Sequence, residues 1–428
     1  MHWLNVPGAL PVYLDASSPE LSQLLSTLNS RVLLPHHLTP EQKKLVYKPA
    51  NRTKLEQEPV EITLGDVTLP LEHIDRNKDV PGYKVQLRDI VRASKTPEDW
   101  ENVVRALEGY SNAGIHLNSR MQTMVVRHLD QAGMQHLILK VLQRADATGV
   151  RLRHLDLILM VMRSVRDRAW QNDWDKDELK KALRMAEQVV ELMDNAEHLG
   201  KPAADQPDYR THPAVVAVPL EMAAELAYRY DAAEDAVKKY APRFMNALKQ
   251  HEFMAVSLFL LSSSQPYPHS HSHSHPQPQP QPPSLPHSSS PSLSHPHPHP
   301  YTRQTTLLTP YPQSDIQTVS TLASQTPASF RTPYHQVEAL ASLFNHTQAL
   351  IPVWNALSAS RTVLDAEMPM AADAERVQRQ LRDVLSKAED ALGMLRVRDG
   401  KELARDGPGG YSGYVRRAVA ACEEEEET

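Results

Sequence analysis

The residues whose types could do chemistry in this chain fall into three groups, and none of the three composes a reaction centre. Histidine alternates with serine from His269 to His275 and with proline from His295 to His299. Imidazole binds zinc, copper and nickel, but an ordered site needs ligands held in place by second partners, which a Pro-Ser run does not supply. No metal site and no cofactor are expected there. The second group is basic: Arg120, Arg127, Lys140, Arg144, Arg151, Arg153, Arg163, Arg166 and Arg168 stand against Asp130, Asp146, Asp156 and Asp167, a local excess of five positive charges. Phosphate binding needs clustered positive charge of this kind, and an ordinary solvated helix surface is the competing reading. The third is the single cysteine, Cys422, followed by Glu423 to Glu427. The acidic run disfavours its thiolate, so it reads as inert, and one cysteine excludes both a disulfide framework and a multi-cysteine zinc site.

Motif searches add no reaction. Gly407-Pro408-Gly409-Gly410 lacks the last glycine of a dinucleotide loop and follows no strand, so it reads as a flexible joint. The chain has no phosphate-loop, His-Glu-x-x-His or Gly-x-Ser-x-Gly pattern, and its carboxylates fall on solvated helix faces. No catalytic residue is expected, and the chain reads as non-enzymatic.

The elements that would position these groups follow from composition and spacing. The formal charge of −6 over 428 residues is small, so no global basic field points to nucleic acid. The longest apolar stretch, Phe253 to Leu261, is far short of the ~20 residues that cross a bilayer, so no membrane span is expected. The first thirty residues carry Asp15 and Glu20 and no Lys or Arg, unlike a secretory or a transit signal.

Residues 1–95 read as an N-terminal segment of short helices and a hairpin. A helix from Pro19 to Ser30 follows a serine cap, and another opens at Thr39-Pro40-Glu41-Gln42 with the grammar of a capping box. A β-hairpin spans 60–69, alternating around Gly65-Asp66, and should lie against the helices that follow. Residues 96–254 read as helical. Thr96-Pro97-Glu98-Asp99 repeats the cap, and Trp100, Val103, Val104 and Leu107 share a face that Gly109 interrupts. Later helices follow, with an interruption near Pro242. From 255 to 333 the chain is rich in His, Pro, Ser and Gln without a charge between Glu252 and Arg303, and is expected to be disordered. A native linker and an unremoved intron are both open readings of that insertion. Helices return over 334–397, and 398–428 reads as a flexible tail with a short basic helix and an acidic end.

One phrase organises the helical part. A helix ends in Ala113-Gly114-Ile115-His116-Leu117 and another in Thr148-Gly149-Val150-Arg151-Leu152, with the two glycines 35 residues apart. A fixed period of about 20–50 residues marks stacked helical hairpins. A weaker third copy sets Gly200 on Gly149, its extra residues placed in Gln171 to Asp177. The predicted fold is an all-α superhelix of stacked helical hairpins, with the small N-terminal β-hairpin and a long disordered insertion. Arg120, Arg151 and Arg153 lie nearest the hairpin junctions, where they could line one face.

A Gly-aliphatic step recurring at this period resembles pentatricopeptide-repeat proteins, and more loosely their tetratricopeptide relatives, over about Thr96 to Gln250. Gly114 with Ile115 and Gly149 with Val150 match the family's step between repeats, whereas the family's proline two places after the aliphatic residue is missing. The resemblance implies single-stranded RNA or a ribonucleoprotein as partner, a role in organellar RNA processing, stability or translation, and a mitochondrial location. The tetratricopeptide alternative implies a scaffold or assembly factor that receives a helical or extended peptide, in the cytoplasm if not in mitochondria.

Overall fold

The computed structural model describes residues 9–199, 208–250, 315–325, 329, 331–394 and 411–423. The histidine tracts, Gly200, Gly407 to Gly410 and the last glutamates fall outside the described residues.

The N-terminal segment is built on caps that short-range chemistry dictates. Ser18 accepts from the Leu21 amide at the start of α1 (Pro19–Thr27), which runs on through a π-helical turn, Leu28–Leu33, into α2 (Leu34–His37). Thr39 and Gln42 cap each other's backbone ahead of α3 (Pro40–Tyr47). After α4 (Arg52–Gln57) come β1 (Glu61–Leu64) and β2 (Val67–Pro70), antiparallel, with Leu64 opposite Val67 across Gly65-Asp66. Gly65 has φ +65° and leaves no room for a Cβ beside Ala9. The hairpin's Ile62, Leu64, Val67 and Leu69 are half-buried against the hydrophobic core. Its edge is taken by the start of the chain, where the Leu10 amide donates to Leu64 O at 3.2 Å.

From α5 the chain folds as antiparallel hairpins. They are α5 (Tyr83–Ala93) with α6 (Pro97–Asn112), then α7 (Ser119–Gln131) with α8 (Gln135–Gln143) and its short continuation α9 (Ala145–Thr148), then α10 (Leu155–Gln171) with α11 (Lys176–Leu192). After α12 (Ala196–Leu199), α13 (Pro213–Tyr230) pairs with α14 (Glu234–Gln250). First helices touch in succession, α5 on α7, α7 on α10, and α10 on α13. Second helices do the same, α6 on α8 and α9, and α8 on α11. Each amphipathic helix is dry only because its neighbours are present, which is how a solenoid holds together.

Four readings of the sequence change. Gly109 does not interrupt α6; it is buried inside the helix, where a Cβ would stand 2.6 Å from Leu33 Cδ1 and 2.9 Å from Pro11 Cγ. Its role is a close approach that no local pattern announces. Gln171 to Asp177 is not an insertion either. It holds the end of α10, the turn with Asp173 and Trp174 at positive φ, and the start of α11, while the extra length sits in two helices of 17 residues each. Pro242 lies within α14 without ending it. The C-terminal residues are also more ordered than composition suggested. Within the stretch read as disordered, α15 (Asp315–Ala323) buries Ile316 and Val319 against α16 (Pro333–Leu364) and α17 (Ala371–Met394). Within the stretch read as tail, α18 (Tyr411–Glu423) buries Val415, Ala418, Val419 and Cys422. Residues 251–314 lie outside the described residues. The hairpin α16–α17 continues the array, with α16 packed along α13.

Candidate functional site

The two repeat phrases occupy equivalent corners. Helix α6 closes with the Ile115 amide donating to Tyr110 O at 2.9 Å and the Gly114 amide to Ser111 O at 3.0 Å, with Gly114 at φ +70°. Gly149 ends α9 at the same φ of +70°, its amide donating to Ala145 O at 2.9 Å. Only glycine takes this left-handed conformation without cost, which is why the helix ends carry it. Ile115 is half-buried and Val150 fully buried, each turning the chain inward. The corners also touch: Ser111 Oγ donates to Asp146 O at 3.3 Å, and the two residues are 35 apart.

The three cations nearest the corners lie on one edge, where each hairpin hands over to the next. Arg120 is exposed in the first turn of α7, behind the Asn118 cap. Arg151 and Arg153 precede α10, whose Asp156 accepts from Ser119 at the start of α7. Arg151 is ion-paired to Asp146 at 2.8 Å, and Arg153 Nε donates to His198 O at 3.2 Å. They are joined on an edge but two of them are already engaged.

Stacking also neutralises most of the basic cluster. Lys140 pairs with Glu101, Arg144 with Glu108 at 2.5 Å, Arg163 with Asp167 at 3.1 Å, Arg166 with Glu221 at 2.8 Å and Arg168 with Glu178 at 2.6 Å. Glu101, Glu108, Glu178 and Glu221 come from neighbouring helices, outside the window in which the sequence showed its positive excess. A count along the chain cannot include them.

The most buried polar cluster joins the repeats to the C-terminal helices. Arg166 Nε contacts both Glu221 oxygens, at 2.8 and 2.9 Å, and Asn355 Nδ2 donates to Glu221 Oε1 at 2.9 Å and to Glu225 Oε1 at 2.7 Å. Arg229 Nε donates to Glu225 at 2.7 Å. Burial is the largest single influence and disfavours the Arg166 charge, but the Glu221 carboxylate together with Cys422, Tyr414 and Asp167 outweighs it and holds the guanidinium firmly protonated. Burial is the larger influence on Glu221 and pushes its carboxyl up, against the pull of Arg166. Beside it, Asp167 accepts from Tyr414 at 2.5 Å and from Trp170 Nε1 at 3.0 Å. Cys422 lies in this cluster, receiving an Arg166 N–H at 3.4 Å and donating to Ala418 O at 3.1 Å. Most of these groups are hydrogen-bonded to one another, with Asn355 Oδ1 left without a partner among the described residues, and together they form a clasp between α10, α13, α16 and α18. A cavity of about 320 Å³ beside it is lined by Arg163, Met160, His346 and Gln348. Among the described residues no group of three or more His, Cys, Asp or Glu is placed to hold a metal ion, and no helix is long and apolar enough to cross a membrane.

A second cluster went unread in the sequence. Lys43, Lys44, Lys48 and Arg76 surround a cavity of about 520 Å³ with Tyr47, His73 and Asp75. The Arg76 guanidinium carbon sits 3.9 Å from the centre of the Tyr47 ring. His73 Nδ1 is 2.8 Å from Val46 O; since a carbonyl only accepts, Nδ1 carries the proton. The available signal was Lys43, Lys44 and Lys48 around the C-terminus of α3, but the partner segment 73–76 lies beyond the hairpin.

Comparison with known proteins bears on what these surfaces are for. A family model described as Mrp13: Mitochondrial ribosomal protein mS27 matches residues 4–285, more than half of the chain. Among curated proteins, the Small ribosomal subunit protein mS27 of Neurospora crassa is 28% identical over 219 residues, which cover 50% of this chain and 55% of that protein. The chain thus spans about half the length of the curated relative it matches.

Proposed function

The chain belongs to the mitochondrial ribosomal protein mS27 family, and from that membership we propose that it is a non-catalytic component of the small subunit of the mitochondrial ribosome, acting in translation. The family is a mitochondrial one, as the repeat resemblance implied for this chain. The observation that carries the proposal is the family match running unbroken from the N-terminal segment through the stacked hairpins. A solenoid presents a long surface and no preformed pocket for a reaction, which suits a part held between neighbours in a large particle.

Within that particle, the function is RNA-associated assembly: the chain contacts ribosomal RNA and adjoining proteins and fixes their relative positions. Arg120, Arg151 and Arg153 remain candidates for RNA contact at the edge of the array. A peptide-receiving role for the repeat surface is favoured by a separate observation, that six of its nine cations are paired to carboxylates. Such a surface is closer to neutral and suits a protein neighbour better than a phosphate chain.

The test is sedimentation. Tagged chain expressed in its own cells is followed through a sucrose gradient of mitochondrial lysate, with and without ribonuclease. Co-migration with small-subunit RNA, lost on ribonuclease treatment, supports the proposal. A chain that stays at the top of the gradient while the small subunit sediments normally contradicts it.

A further inference from the structure

The geometry points to the N-terminal basic cavity of Lys43, Lys44, Lys48 and Arg76 as a binding site for the phosphate backbone of single-stranded RNA. This rests on the RNA-associated reading above and names the residues that would carry it. On the repeats, cations are spent on carboxylates; around the cavity, none of these four side chains is in an ion pair among the described residues. Asp75 is the one acid lining it, and that carboxylate accepts from the Asn77 amide at 2.9 Å. The cavity therefore keeps an excess of three positive charges.

The cations are also positioned rather than merely near. Lys44 stands in the last turn of α3, Lys43 one residue before it and Lys48 just beyond the helix, with Lys44 and Lys48 exposed. The segment that carries Arg76 is pinned to the same helix end, since Val46 O accepts both the Ile74 amide at 3.1 Å and His73 Nδ1 at 2.8 Å. Arg76 rests over Tyr47, which orients its guanidinium while leaving N–H groups for an acceptor. Lysines close a helix C-terminus in many proteins, where they answer its partial negative charge. That role accounts for Lys44. It does not account for Arg76, which comes from another segment and faces the same cavity. Volume and charge suit a chain of phosphates: a cavity of about 520 Å³ falls in the range that holds a nucleotide-sized group, and four cationic side chains line it.

The test uses the purified full chain and a fluorescein-labelled 20-nucleotide single-stranded RNA of mixed sequence, with affinity read by anisotropy between 50 and 200 mM KCl. Three proteins are compared: the wild type, Lys43→Gln/Lys44→Gln/Lys48→Gln, and Lys180→Gln/Lys239→Gln/Lys249→Gln, which removes the same charge from the exposed repeat surface. Circular dichroism confirms that each is folded. On single strands each phosphate contact adds ~0.7 to the slope of log affinity against log salt, so the lysine variant should lose about 2 from that slope. Over the fourfold salt range the wild type should then weaken about 20-fold more than the lysine variant. The repeat-surface variant should follow the wild type closely. If the wild type binds RNA and the lysine variant binds it equally well, the site is wrong while the RNA reading stands. If the wild type binds no RNA at 50 mM, the RNA reading falls and takes the site with it. If a deca-glutamate peptide binds the wild type more tightly than RNA and is lost in the lysine variant, the cavity receives an acidic protein segment, and the inference is overturned.

Discussion

Replacing Arg166 by Met should cost about 3–5 kcal/mol of folding stability, because it strands a carboxylate in the interior. Arg166 and Glu221 side chains are 3% and 0% exposed, and among the described residues the guanidinium supplies the only positive charge in contact with Glu221. Methionine keeps the length of the stem and removes the charge, so packing changes little while Glu221 retains one hydrogen bond, from Asn355. Glu225, also fully buried, sits on the same asparagine and adds repulsion. Domains of ordinary size are stable by about 5–15 kcal/mol, so the loss is a large fraction of the total. Urea unfolding followed by circular dichroism measures it. The double variant Arg166→Met/Glu221→Gln, which removes both charges, should recover most of the loss. A single variant costing under ~1 kcal/mol, or a double variant worse than the single, would refute the reasoning that this pair is a dry clasp whose charges depend on each other.

Other consequences follow from the N-terminal packing and the helix corners. Burial tends to raise the Asp99 carboxyl, but the Ser17 hydroxyl and the amides of Thr96, Ser17 and Lys95 overcome it and hold it down at about 2. A carboxyl depressed on folding adds stability above its unfolded value near 4, and loses it as pH falls toward 2. Asp99→Asn should therefore cost about 2 kcal/mol at pH 7 and much less at pH 2, read from thermal unfolding across that window. Gly109→Ala should destabilise by about 1–3 kcal/mol, because the Cβ meets the stiff ring of Pro11, whereas the same change in an open helix position raises stability. Gly114→Ala has open space around its Cβ, so its cost should be the backbone alone, about 1 kcal/mol, with circular dichroism spectra unchanged.

What was legible in the sequence is what depends on near neighbours. The capping boxes at Thr39 and Thr96, the Gly65-Asp66 turn and the two Gly-aliphatic corners are each set by residues within a few positions of one another. The missed features are settled by residues far apart. Gly109 is required by Pro11 and Leu33, and the path of residues 12–17 is set by Asn102, which pairs reciprocally with the Leu14 backbone at 2.7 and 3.0 Å. Four of the six carboxylates that pair with the repeat cations, Glu101, Glu108, Glu178 and Glu221, lie on adjacent helices, so a window of sequence overstated their free charge. For the same reason the N-terminal cavity stayed hidden, its lysines and its arginine being separated by a helix and a hairpin. Composition also misled at the C-terminus, where a helix of small residues, α18, is buried by docking on α16 and α17.

Hairpins that stack with equivalent corners in register can be locked together by a disulfide, the most direct test of that packing. A Cβ built on Gly149 lies 3.6 Å from Ser111 Cβ, within the span that a disulfide bridges. In the full chain carrying Ser111→Cys and Gly149→Cys, with Cys422→Ala to leave no other thiol, mild oxidation should form an intramolecular bond between these two positions, identified by peptide mapping. Full labelling of both thiols under the same oxidation, in a protein whose circular dichroism is that of the wild type, would contradict the stacked array.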